Sequence, residues 1–338
     1  MMKFRQLGDS GLYVSVVSIG SWQTYGTTVG EQSSFSCLRA SIDAGINFID
    51  TADVYNQGEA ERLLGSFFEK NPIRQEVILA TKVFGQMDNH WMSQGLSLRH
   101  IHNACNASLR RLNTDYIDLY QCHRFDIDTP IEETCFAMNE LIRQGKIRYW
   151  GVSQWSAIQI LRAVHICERN HWRKPISNQP IYNMLNRSLE VDVMGVCEEE
   201  KIGLVVYSPL AQGLLTGKYK RNYIPENSRA NDPIAGRMFP HKRMNPKTFE
   251  LIETLEKITT ELNIKLSQLA LAWCLRKEPV TSVIFGASNI DQVHENVVAA
   301  RISIDSAVLE KIESILNNHP KDQYTDAEIG HGIVKRGY

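Results

Sequence analysis

Short apolar runs rich in β-branched residues recur along the chain. Each ends in a small or polar residue and is followed by a stretch whose apolar positions fall three and four apart. The runs occupy residues 16–20, 48–50, 77–81, 117–121, 149–153, 176–179, 203–207 and 282–286. The helical patterns occupy 31–44, 59–70, 98–112, 131–144, 156–170, 191–200, 247–262, 266–277 and 291–300. Gly45 and Gly145 stop two of the helices, and Asn71-Pro72 stops a third.

Strands that alternate with helices predict a parallel sheet, and runs that are apolar throughout predict strands covered on both faces. Repeated in this way without a break in composition, they favour a (β/α)8 TIM barrel of the α/β class over an open doubly wound sheet. Near the N-terminus, Gly8-Asp9-Ser10-Gly11 lies between two short runs and predicts a hairpin that caps one end of the barrel. About 75 residues separate the seventh run from the eighth, a loop long enough to be functional and placed where barrel loops meet the catalytic face. One barrel domain is expected over residues 1–318. Residues 319–338 form a tail that is either a substrate loop or loosely ordered.

Composition narrows the partners. Hydrophobic residues make up 43% and charged residues 22%, an ordinary globular mix that argues against disorder and coiled coil. The formal net charge is −1, so no overall basic field exists to hold nucleic acid or an anionic membrane. No apolar run is long enough to span a bilayer, and the polar first residues lack the core of a signal peptide, so a cytoplasmic chain is expected. Self-association is left open. The seven cysteines include no C-x-x-C pair and are expected to be reduced and structural. His100-Ile-His102 has a metal-site spacing but sits at a helix start without a carboxylate set, so no metal is expected.

Chemistry in such a barrel belongs at the strand ends. The second run ends in Asp50, with Tyr55 five residues on; Lys82 follows the third; His123 follows the fourth. An acid, a phenol, an ammonium and an imidazole from consecutive strand ends can meet in one pocket. A cation beside a phenol lowers its pKa, and the imidazole can bind the same substrate oxygen. Together they would act as a general acid toward a carbonyl oxygen. Taken singly, each of these residues reads as an ordinary solvated side chain.

Two longer stretches make the pattern specific. The segment Asp50-Thr-Ala-Asp-Val-Tyr-Asn-Gln-Gly58, with Glu61 and Gly65, resembles the first signature of the aldo-keto reductase superfamily. The stretch from Ser108 to His123 resembles the second. Within that superfamily the chain is most similar to the branch of voltage-gated potassium channel beta subunits and their bacterial reductase relatives. That likeness is carried by Tyr149-Trp-Gly-Val-Ser153, Ser208-Pro-Leu-Ala, Gly217-Lys-Tyr, Ser228-Arg-Ala, Ala272-Trp-Cys-Leu-Arg276 and Gly286-Ala-Ser-Asn289.

The resemblance implies NADPH-dependent reduction of small aldehydes and ketones by direct hydride transfer. Tyr55 would be the proton donor, Lys82 and Asp50 would tune it, and His123 would orient the carbonyl. Channel beta subunits carry Asn where this chain has His123, a departure toward the ordinary reductases. The alternative that the resemblance keeps open is a catalytically weak, NADP(H)-binding regulatory subunit.

No G-x-G-x-x-G follows a strand, so the dinucleotide fingerprint of doubly wound folds is absent. The family's own cofactor positions are present. Ser153, Gln154 and Gln179 match contacts to the nicotinamide amide, and Tyr207 matches the aromatic that stacks on its ring. Ser208, Leu210, Gly213 and Lys218 match the pyrophosphate lining, and Arg229, Ser288 and Gln292 the 2′-phosphate contacts. Glu295 and Asn296 match the adenine contacts, with Gly286 ending the last strand before them. Trp22, after the first strand, walls the pocket or belongs to the core.

Overall fold

In a computed structural model the chain is described at residues 1–26, 28–233, 235–317 and 320, so the expected tail at 319–338 lies outside the described residues except for Pro320. A two-stranded hairpin, β1 (Phe4–Gln6) and β2 (Tyr13–Ser15), comes first, with Phe4 opposite Ser15. Then come β3 (Val17–Gly20), β4 (Phe48–Asp50), β5 (Ile78–Val83), β6 (Ile117–Cys122), β7 (Ile147–Val152), β8 (Ser177–Asn178), β9 (Gly203–Val206) and β10 (Val280–Phe285). These pair in chain order as a closed barrel, with β10 returning in parallel to β3.

Outside the strands run α1 (Glu31–Asp43), α2 (Glu59–Lys70), α3 (Leu98–Leu112), α4 (Ile131–Arg143), α5 (Ala157–Arg169), α6 (Val193–Glu199), α7 (Pro246–Glu261), α8 (Leu266–Leu275), α9 (Ile290–Val297) and α10 (Ser306–Leu316). From α2 to α6 and from α7 to α9 consecutive helices pack side by side, α10 packs on α7, and α9 packs against α1. This is the (β/α)8 barrel with an N-terminal hairpin and a long seventh loop that the hydrophobic pattern predicts.

The pleat divides the core into two layers. Outward-facing Ile49, Leu79, Val83, Tyr120 and Leu204 join the helices in the larger apolar cluster. Inward-facing Phe48, Ile78, Ala80, Leu119, Val205 and Ile284 fill the barrel. Leu7 and Val14 of the hairpin segment belong to that inner layer, so the hairpin closes the floor. Gly8 makes this approach tolerable: its φ is +57°, and a Cβ there would stand 2.3 Å from the Ile176 carbonyl oxygen.

Strand limits move by at most two residues from the sequence pattern; β5, for example, runs on to Val83. The α10 helix is absent from the sequence reading; Asp305 precedes it, its carbonyl accepting from the Leu309 amide. The long loop is built from 3₁₀ turns at Ala211–Thr216, Arg229–Asn231, Ala235–Met238 and His241–Arg243 before α7 begins.

Candidate active site

Two residues beyond the apolar layer, the same pleat turns polar groups inward. Phe48 is followed by Asp50, Ala80 by Lys82, and Leu119 by Gln121. Register brings them together, since Lys82 pairs with Gln121 and Asp50 with Ala80. Lys82 is 0% exposed and Asp50 3%. The Lys82 Nζ donates to Asp50 Oδ2 at 2.7 Å, to the Thr51 carbonyl at 2.7 Å and to Tyr55 Oη at 3.2 Å. An ammonium has three hydrogens, so each has an acceptor. The second Asp50 oxygen accepts from Gln179 Nε2 at 2.8 Å and from Gln121 Nε2 at 3.5 Å.

Tyr55 stands on a 3₁₀ turn, Tyr55–Gly58, in which Asn56 and Gln57 adopt left-handed backbone (φ 48° and 53°). Buried groups hold this turn. Glu61 accepts from Thr81 Oγ1 and Arg111 Nε, both at 2.6 Å. Arg111 also donates to Ser108 at 3.1 Å, and a Cβ on Gly65 would collide with the Arg111 carbonyl oxygen. The two signature stretches are therefore docked on each other, which explains Glu61, Gly65, Ser108 and Arg111 as supports of the Tyr55 turn.

The Tyr55 ring meets His123 edge to face, with centroids 5.7 Å apart. Burial, and then Asp50, push the Tyr55 hydroxyl well above the usual phenol range. The Arg124 charge pulls the other way and is outweighed by burial and the Asp50 carboxylate. Burial, with Lys82 and Arg124 adding to it, holds His123 well below the ordinary imidazole value. Burial also lowers Lys82, against the pull of Asp50. At neutral pH the site thus holds a protonated phenol beside a neutral imidazole.

The remaining expected residues fall into two groups. Ser153, Gln154, Gln179 and Tyr207 surround the polar cluster. Ser153 Oγ donates to the Gln179 carbonyl at 2.8 Å, and Gln154 Nε2 donates to Tyr207 Oη at 2.5 Å. The second group lies along the seventh loop and α9. There Ser208 (φ 54°), Ala211 (φ 46°) and Gln212 (φ 57°) hold left-handed backbone, and Gly213 reaches φ 103°. Such strain collects at binding loops. The Ser208 carbonyl accepts from Asn183, and the Leu210 carbonyl accepts from the Gly213 amide.

Lys218 and Arg229 come from this same loop, and neither is in an ion pair among the described residues. Burial, then the Arg229 charge, lowers Lys218, and burial lowers Arg229. A Cβ on Gly213 would stand 3.1 Å from Lys218 Cε and 3.4 Å from its Nζ, so the glycine lets the lysine side chain pack closely against the loop. Arg229 reaches across to the half-buried Trp22, 5.8 Å from its ring centre. Unpaired cations around an open cradle fit a polyanionic ligand such as a dinucleotide pyrophosphate.

At the start of α9 the expected contact residues are bonded to protein groups. Asn289 caps the helix, accepting from the Gln292 amide at 3.0 Å, while Ser288 donates its hydroxyl and amide to Gln292 Oε1. Glu295 is taken by Lys265 at 2.6 Å and Ser267 at 2.5 Å, so its carboxylate faces α8. Asn296 is buried beside it, and Gly286 follows β10 next to Thr24. No cluster of three metal-binding side chains occurs among the described residues. His100 and His102 lie in the first turns of α3.

Sequence reasoning missed Arg124. It follows His123 directly, and its charge acts on Tyr55, Lys82, His123 and Tyr207 together. A basic residue one place past a strand-end histidine was the available signal.

A parallel barrel with an Asp–Lys–Tyr–His cluster at its strand ends is the arrangement of carbonyl-reducing enzymes. The Aldo/keto reductase family profile matches residues 16–317, and the chain belongs to that family. Among curated proteins it is similar to a probable voltage-gated potassium channel subunit beta of Arabidopsis thaliana, with 39% identity over 95% of this chain and 98% of the relative. A protein of the same description from Oryza sativa subsp. japonica is 38% identical over the same shares. A putative voltage-gated potassium channel subunit beta of Schizosaccharomyces pombe is 39% identical over 94% of each chain. No helix among the described residues is long and apolar enough to cross a membrane.

Proposed function

We propose that the chain is an NADPH-dependent reductase of aldehydes and ketones with Tyr55 as the proton donor. The observation that carries this reading is the fully committed Lys82 ammonium. All its hydrogens go to Asp50, Thr51 and the Tyr55 oxygen. The phenol's own hydrogen therefore points away from Lys82, toward the mouth. A carbonyl oxygen lying between Tyr55 and His123 accepts that hydrogen bond. Neutral His123 donates a second one from a ring nitrogen. As charge builds on the oxygen, the Tyr55 proton passes to it, and Lys82 at 3.2 Å stabilises the phenolate left behind. The nicotinamide dinucleotide, when bound, supplies the hydride. Lys218 and Arg229 are the groups whose unpaired charge suits its phosphates, and Arg229 is the residue on which a preference for NADP over NAD rests.

Replacing Tyr55 by Phe removes the proton and keeps the ring. NADPH oxidation with 4-nitrobenzaldehyde is expected to fall about 10²- to 10⁴-fold while NADPH fluorescence still reports binding. Undiminished turnover in Tyr55→Phe would overturn the assignment. The names of the curated relatives favour a second reading, a nucleotide-binding regulatory subunit of a channel. Tight NADPH binding by the unaltered protein, with no oxidation of it by any aldehyde in a panel, would decide for that reading.

A further inference from the structure

The charges around the mouth are unevenly settled. Lys82 is neutralised by Asp50 at 2.7 Å. Arg124 has no such partner: it takes part in no ion pair among the described residues, and its side chain is half-buried. Its nearest acidic neighbour in sequence, Asp126, is turned to other work. That carboxylate accepts from the Leu96 amide and Thr129 Oγ1, both at 2.7 Å, and from the Asp128 amide at 3.0 Å.

Arg124 Nη1 folds back to donate to the carbonyl of His123 at 2.5 Å. This bond holds the guanidinium at the end of β6, over the residue that borders Tyr55. A guanidinium has five N–H donors in a planar fork, so most of its donors remain for a ligand. The Arg124 charge acts on Tyr55, His123 and Tyr207 alike, which puts the fork beside the same pocket. An acceptor bound by this fork can therefore belong to the same small molecule as a carbonyl held between Tyr55 and His123.

We infer that the substrates this site favours are carbonyl compounds bearing a carboxylate, which Arg124 grips by its planar fork. The inference rests on the reductase reading and specifies its substrate class. A carboxylate matches the guanidinium in shape and charge, whereas a lone ammonium offers only a point charge. Nothing in this inference requires Arg124 to touch the reacting atoms; it is a specificity residue.

The test compares 4-carboxybenzaldehyde with 4-nitrobenzaldehyde. The two para groups are planar and alike in shape, and one is charged. The measured quantity is the ratio of kcat/KM for the charged aldehyde to that for the neutral one. Arg124→Gln is expected to lower this ratio about 10- to 100-fold, the usual worth of a charge-assisted hydrogen bond. Arg124→Lys is expected to restore only part of it. Because each ratio is taken within one variant, any general loss of rate or folded protein cancels. A ratio that Arg124→Gln leaves unchanged overturns the inference.

If neither aldehyde is consumed, the reductase reading fails by itself. The anchor is then judged by binding of 4-carboxybenzyl alcohol to the NADPH-loaded protein, followed by tryptophan fluorescence. Affinity at least tenfold weaker in Arg124→Gln sustains the anchor; equal affinity overturns it.

Discussion

At the scale of single residues, the site is governed by which charges are compensated. Lys82 is an ammonium in a place with no solvent, and it is tolerable only because three acceptors surround it. His123 meets the opposite condition: burial and two nearby cations keep it neutral. Its folded-state pKa lies below the value of 6.5 that the unfolded chain would show. The stability contributed by neutral His123 is thus present above pH 6.5 and is lost as pH falls through the folded value. His123→Asn removes this titration. Between about pH 7 and pH 5 the unaltered protein is expected to lose stability faster than the variant, by at most about 1.4 kcal/mol per pH unit. Chemical denaturation curves at several pH values measure the gap, and a constant gap across the range would contradict the cause assigned to it. The residue types were legible in the sequence because Asp50, Tyr55, Lys82 and His123 each follow a strand. Arg124 was not, since a lone arginine past a strand looks solvated until its missing partner is seen. The direction of the Tyr55 shift was also beyond the sequence, because it depends on how far burial outweighs one neighbouring charge.

At the scale of elements, the pleat explains the site and the loops explain its ligand. Strands of period two put an apolar residue in the barrel and a polar one above it on the same face. Strand positions and most helices were legible for that reason, through periodicity. Boundaries shifted because they depend on pairing with neighbours: β8 keeps only Ser177–Asn178 of the expected 176–179. Around α9 the expected phosphate contacts Ser288 and Gln292 bond to each other, and the cap itself is Asn289. The long loop has only short 3₁₀ turns, which leave no periodic signal. Arg229 comes from one of them and reaches Trp22, which follows β3, past the end of the intervening β10. On the NADPH reading, Arg229→Ala is expected to weaken NADPH binding about 10- to 100-fold and NADH binding far less. Equal losses for the two nucleotides in a titration would remove the argument for a 2′-phosphate contact.

At the scale of the whole molecule, an ionic knot ties the segment after β8 to the end of α8 and to α10. Glu190 accepts from Tyr182 Oη at 2.6 Å and from Arg187 Nε and Nη2 at 3.0 Å each. Arg276 lies 3.4 Å from the same carboxylate and 3.5 Å above the Trp273 ring. Glu313 on α10 completes the set through Arg187 and Arg276. Burial would raise Glu190, but Arg187 and Tyr182 more than offset it and hold the carboxylate below its usual range. Glu190→Gln leaves two guanidiniums sharing Glu313 and is expected to cost about 3 kcal/mol, read as a lower midpoint in thermal unfolding. An unchanged midpoint would show that the knot adds nothing. This knot also explains why α10 escaped the sequence reading: its place is set by contacts with Arg187 and Arg276, more than a hundred and about forty residues earlier.

The hairpin underneath has a consequence for traffic. Arg5 pins it to the Leu275 and Lys277 carbonyls, and Leu7 with Val14 plugs the barrel from below. A vessel stoppered at its base has a single doorway, so guests must queue. On the reductase reading, whatever lies deeper goes in first and comes out last.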